Sequence, residues 1–189
     1  MKINEKLHLV MPIYDEADQV CAYVHSAPIS REVFEAHFLL ISKTFSAIVA
    51  EGLGDLAGPR VAGLMMRRIA ARNKDEESAT SLMNEIRRLT MVSTRTASGW
   101  EQIPFQEVLD KKLIGVDDLA EVENAIAFFI VTSAMHRKQV AAELLPGAAR
   151  LWGAQISSLD SSAYHASLTT STATDNTGKR PLRASSVPF

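Results

Sequence analysis

The sequence predicts a mainly α fold, a helical domain with a small N-terminal β-hairpin and a flexible C-terminal tail. Three observations predict it. Apolar residues return at helical spacing through most of the stretch from residue 30 to about 145. Two short alternating runs precede the first helix. From Ser157 onward, large apolar residues become sparse in a field of serine and threonine. The expected organisation is a domain over residues 1–156, with the hairpin at about 7–25, followed by a tail over 157–189.

The hairpin rests on a weak alternation in residues 7–13 and a better one from Val20 to His25, where Val20, Ala22 and Val24 oppose Cys21, Tyr23 and His25. Asp15, Glu16, Ala17, Asp18 and Gln19 make a polar connection of hairpin length. Pro12, which lacks an N–H, places the first strand at an edge or ends its pairing early.

Ser30 is the expected N-cap of the first helix, with Glu32 and Glu35 near its positive end. Val33, Phe34, Phe38, Ile41, Phe45, Ile48 and Val49 form one broad apolar face, and Gly52 and Gly54 end the helix. A second helix is expected to start at Pro59, with Val61, Leu64, Met65 and Ile69 inward and Arg60, Arg67, Arg68 and Arg72 outward. A third runs from about Ser78 to Leu89. Thr90 to Ala97 is β-branched and polar and reads equally as an extended segment or a loop. Pro104 opens a short helix that buries Phe105, Val108 and Leu109. The next is capped by Asp117 or Asp118, and Asp118 with Glu121 has capping-box spacing. It runs through Val122, Ile126, Phe129, Ile130 and Met135 to about Glu143, and Pro146 with Gly147 breaks it. Phe128 and Val131 lie off its main stripe, so two faces are apolar and this helix should be central.

Composition narrows the function classes. The chain has 189 residues, 47% hydrophobic, and a formal net charge of −2. Nucleic acid as the main ligand calls for a marked basic excess, so that class is disfavoured. Cys21 is the only cysteine, which leaves no intrachain disulfide or multi-cysteine metal site. No signal-peptide pattern or apolar stretch of membrane-spanning length is present, so no membrane contact and a cytosolic location are expected.

No constellation of residues points to catalysis. The histidines (His8, His25, His37, His136 and His165) form no helical metal pair at i, i+4, and none has zinc spacing to a second ligand. Asp117, Asp118, Glu121 and Glu123 crowd a helix start, where the macrodipole places acids. Glycine-rich phosphate loops and the nucleophile-elbow pattern are lacking. The expectation is a non-enzyme without cofactor or metal. The outward arginines, with Arg87 and Arg88 on the next helix, suit a solvated or protein-docking face better than a nucleic-acid surface. Glu76, Glu77 and Glu85 lie among them, and stacking aromatics do not. In the tail, Leu159, Tyr164 and Leu168 are spaced hydrophobes among residues of high β propensity such as Thr170 and Thr172. A segment of this kind can add a strand to a partner's sheet edge. The candidate partner-binding residues are therefore Leu159, Tyr164, Leu168, Thr170 and Thr172 in the tail, and Arg60, Arg67 and Arg68 on the body.

The run Val24-His25-Ser26-Ala27-Pro28-Ile29-Ser30-Arg31-Glu32-Val33-Phe34 resembles the strand-then-helix opening of a group of small proteins from tailed bacteriophages. So does Glu51-Gly52-Leu53-Gly54 followed by Ala57-Gly58-Pro59-Arg60-Val61-Ala62. Residues 118–137, with Phe128-Phe129 and Met135-His136-Arg137, and the stretch Ser167-Leu168-Thr169-Thr170-Ser171-Thr172 are similar to the same group, the tail assembly chaperones of long-tailed phages. The resemblance implies a non-enzymatic protein that binds newly made tail tube protein. With the tape measure protein, it helps set up tube polymerisation. It also implies residence in the host cell cytoplasm, absence from the mature virion, and in many members a longer frameshifted form. Self-association is left open. Two other readings compete: a structural virion protein, such as a head–tail connector or tail-completion protein, and a small helical DNA-binding regulator.

Overall fold

A computed structural model describes residues 7–171 and contains a five-stranded antiparallel sheet. The mainly α reading with a lone hairpin is thereby corrected to a mixed α/β fold. The elements are β1 (His8–Tyr14), β2 (Val20–Ser26), α1 (Arg31–Ala36), α2 (Phe38–Ala50), α3 (Gly54–Arg72) and α4 (Glu76–Arg88). β3 (Thr90–Thr96), β4 (Gly99–Pro104), α5 (Phe105–Asp110), α6 (Val116–Met135), α7 (Lys138–Leu151), β5 (Gln155–Ser157) and α8 (Ser161–Ser171) follow. In space the strands run β4-β3-β2-β1-β5.

The predicted hairpin is present as β1 and β2, and Asp15 shapes its turn by accepting from the backbone N–H of Ala17 and of Gln19, each at 2.9 Å. Cys21 is the extra residue of a bulge, since Ile13 faces Ala22 while Tyr14 faces Val20. The undecided stretch from Thr90 is strand β3, paired along its length with β2 and β4. Its own pattern is nearly all polar, so only these partners reveal its faces. One row across the sheet (Met11, Val24, Val92, Ile103) is buried against the helices. The neighbouring row (Pro12, Tyr23, Ser93, Gln102) lies on the opposite, outer face.

The helix expected from Ser30 to Gly52 is two helices. Ser30 caps the first, accepting from Val33 N–H at 3.3 Å. The break falls at His37, whose Nδ1 lies 3.0 Å from Ser78 Oγ at the start of α4. α3 begins at Gly54, so Pro59 lies inside it instead of opening it. α6 is capped at Gly115, not at Asp117 or Asp118. It ends at His136, which takes an extended conformation, and Pro146 lies within the separate helix α7.

α6 is buried from Val122 to Ala134, as its two apolar faces require. α3 crosses it on a row of buried residues at four-residue spacing: Gly58, Ala62, Met66 and Ala70. At Gly58 a Cβ would stand 2.5 Å from a ring carbon of Phe128, so only glycine fits the present distance. Asn124 secures the crossing. Its side-chain oxygen accepts from Leu64 N–H at 3.1 Å, and its amide donates to the Ala120 carbonyl at 2.8 Å.

The boundary expected at 156/157 is also corrected. Ser157 closes β5, which pairs with β1, and residues 161–171 form α8. Residues 172–189, the rest of the expected tail, lie outside the described residues.

Two of the helical glycines generate a paired test. Gly58→Ala should be destabilising, because overpacking costs about 1–3 kcal/mol while better helix propensity returns only about 1 kcal/mol. Gly147→Ala in α7 meets nothing within 4 Å and should stabilise by about 0.5–1 kcal/mol. Urea denaturation of the two variants checks the opposite signs.

Candidate protein-interaction surface

α8 lies over the outer face of the sheet. Its sequence is rich in serine and threonine, poor helix formers, so tertiary contacts hold it in place. Asp160 caps it, accepting from Ala163 N–H at 2.8 Å. Tyr164 packs edge-on against Tyr23, with ring centroids 5.7 Å apart, and also against His25 at 5.8 Å. Gln155 on β5 donates to the Tyr164 hydroxyl at 3.0 Å. Gln102 on β4 donates to the Ser161 carbonyl at 2.8 Å, and Ser93 Oγ lies 3.1 Å from His165 Nδ1. Burial pushes the Tyr164 phenol up to about 12, with Tyr23 adding to the effect and the Gln155 bond opposing it. The Ser93–His165 contact has the reach of a nucleophile–base pair, but Ser93 is only 2% exposed beneath the helix, which leaves a substrate no approach.

This arrangement changes the meaning of the tail candidates. Tyr164 is an anchor that faces the sheet, not a free hydrophobe. Leu159 is 43% exposed, and its carbonyl lies 3.0 Å from His25 Nε2. Leu168 is half-buried on α8, and Thr170 belongs to the same helix. Thr172 lies outside the described residues. In the chain alone the segment expected to add a strand to a partner is helical from Ser161 to Ser171 and packs on its own sheet.

The arginine face divides in two. Glu123 on α6 is 8% exposed and draws in two of the arginines. Arg87 donates to its Oε1 from Nε at 2.9 Å and from Nη2 at 2.6 Å, and Arg67 Nη1 approaches Oε2 at 3.5 Å. Arg67 is thus a structural partner, and the reading of Glu123 as one of the acids gathered by a helix dipole is incomplete. The Arg67 side chain is still 43% exposed, and Arg60 and Arg68 are exposed too. They alternate with Leu56 and Leu64, which are 68% and 50% exposed, so that Leu56, Arg60, Leu64 and Arg68 form one row at four-residue spacing on α3. Exposed Val140, Leu144 and Leu151 make a second apolar row on α7, which touches α3. These rows had no signal in the sequence beyond their spacing. A leucine at helical spacing reads as core until the other face of the helix is seen buried.

Among the described residues, no group of three or more histidines, cysteines or acids is placed to hold a metal ion. No helix among them is long and apolar enough to cross a membrane. Comparison with protein-family models, with curated proteins and with solved structures finds no match to this chain.

The Glu123 cluster can be tested without knowing any partner. Glu123→Gln removes the charge that both arginines share, and it should cost about 1–3 kcal/mol, since Arg87 can still turn toward water. Arg60→Ala, on the exposed row, should stay within about 0.5 kcal/mol of the parent chain. Thermal and urea unfolding monitored by circular dichroism measure both.

Proposed function

We propose that this chain is a non-enzymatic assembly chaperone of a long-tailed bacteriophage, which binds tail tube and tape measure proteins in the host cytoplasm while the tail is built. The observation that carries this reading is the exposed row Leu56, Arg60, Leu64 and Arg68 on α3, together with the exposed apolar row of α7. Large apolar side chains held outward on rigid helices suit a surface that a second protein covers. Interleaved arginines favour a partner helix with acidic residues at matching spacing. Support also comes from the resemblance to tail assembly chaperones at four separated segments of the sequence.

The α3 row is assigned to the tape measure protein, and the tube protein is assigned to the C-terminal segment that begins with α8. The mechanism is cover: the chaperone occupies surfaces through which subunits would otherwise associate too early. It leaves before the tail is finished. Self-association through the α7 row is the competing use of the same apolar side chains.

Titration calorimetry with purified tape measure protein tests this reading, using the parent chain and a Leu64→Asp, Arg68→Glu double variant. Binding should weaken at least tenfold, about 1.4 kcal/mol, with the helical circular dichroism unchanged. Equal affinities would move the contact off α3. Finding the chain in purified virions in fixed proportion to tube protein would replace the chaperone reading with a structural one.

A further inference from the structure

The outer face of the sheet carries a pair of buried histidines beneath the segment that precedes and forms α8. His8 on β1 and His25 on β2 are 8% and 3% exposed, and their rings lie 4.9 Å apart. His25 sits where it can donate from Nε2 to the Leu159 carbonyl at 3.0 Å, which leaves Nδ1 unprotonated in the neutral ring. Among the described residues, Nδ1 has no hydrogen-bond partner. The docked arrangement therefore suits one proton on His25, and a second would find only a weak contact with the residue's own backbone.

The surroundings reinforce this. From β1 the facing titratable group is His8, and from β2 it is Tyr23, whose ring also meets Tyr164. From α8 it is Tyr164, with His165 held further along against Ser93. Asp160, in the connection before α8, is the one acid that acts on His25, and it is committed to capping the helix. Burial above all, with the neighbouring His8, holds His25 below the usual imidazole range, partly opposed by the Leu159 carbonyl, the residue's own backbone and Asp160.

We infer that residues 158–171 form a pH-operated cover, latched by His25 on the Leu159 carbonyl and released when His25 takes up a second proton. With the cover lifted, both imidazoles reach water and Nδ1–H finds an acceptor there. The undocked state binds the proton more readily, so docking is complete above about pH 6.5 and is lost as the pH falls through the lower value of the docked ring. Release exposes Tyr23, Trp100, Ser93 and Gln102, an aromatic and polar face of the kind proteins use in recognition. The inference stands independently of the proposed chaperone role.

The test is hydrogen exchange by NMR on the whole chain between pH 7.5 and 5, with protection factors corrected for the intrinsic pH dependence of exchange. Protection across 161–171 should fall by about tenfold for each pKa unit by which burial lowers His25, while protection in α6 stays constant. The His25 ring signal in the same samples should titrate below 6.5. His25→Phe should abolish the fall. His8→Phe, which spares the Leu159 contact, should make it shallower by removing the second cation. Protection in α8 that stays level down to pH 5, or a His25 ring that titrates at or above 6.5, would overturn the inference. Both readings come from the parent chain, so a His25→Phe protein that fails to dock would leave the test intact.

Discussion

The close crossing of α3 over α6 is the contact on which the rest of the molecule depends. Its distance is set by the absence of a side chain at Gly58, where Phe128 occupies the space a Cβ would take. Buried Ala62 and Ala70 keep the two axes near along the same row. Interiors are packed as densely as organic crystals, so a shift of a few tenths of an ångström here would pass to every element that rests on α6. Asn124 then fixes the relative rotation, because its amide satisfies the Leu64 N–H on one helix and the Ala120 carbonyl on the other.

That crossing also sorts the surface. Burying the row from Gly58 to Ala70 turns Leu56, Arg60, Leu64 and Arg68 outward, since residues four apart share a face. It brings Arg67 over Glu123, where Arg87 from α4 already donates two hydrogen bonds. A carboxylate with two guanidinium partners is tolerated near the core because its charge is matched and its Oε1 is doubly bonded. The same packing decision therefore makes Arg67 structural and leaves Arg60 and Arg68 available.

The sheet divides labour differently. Its inner face closes the helical core through Met11, Val24, Val92 and Ile103, while its outer face carries tyrosine, histidine, serine and glutamine. Such a face would ordinarily stand in water. Here α8 covers it through a few directed contacts, in which Tyr164 and Gln155 supply much of the fit. A cover held by hydrogen bonds and ring contacts, with little apolar area, belongs to the low end of the local stability range. That is where a movable element is expected.

Local chemistry was enough to read several features directly. The hairpin turn was legible from its polar residues, the Ser30 cap from its hydroxyl, the Pro104 start of α5 from its ring, and the central place of α6 from two apolar faces. Each is decided within a few residues, by a hydrogen bond or a periodicity that the chain carries with it. The sheet beyond its first hairpin was not legible. β3 and β4 are mostly polar, and their strand character comes from a local hairpin, Thr94 with Glu101 and Val92 with Ile103, laid by long-range pairing on β2 at Ala22 and Val24. The composition change at Ser157 likewise suggested a tail, whereas the aromatic and amide groups of the outer sheet face hold those residues as a helix through Ser171. Of the candidate residues, Arg60 and Arg68 are exposed, Arg67 is exposed with its guanidinium turned toward Glu123, and Tyr164 packs on Tyr23 from a distant part of the sequence. Sequence by itself determined the first hairpin turn, the Ser30 cap and the apolar repeat of the central helix, while the cap of α6 and the breaks between helices fell elsewhere. Tertiary structure alone decided which polar residues face one another, because a polar side chain carries no periodic signal of the partner it will meet.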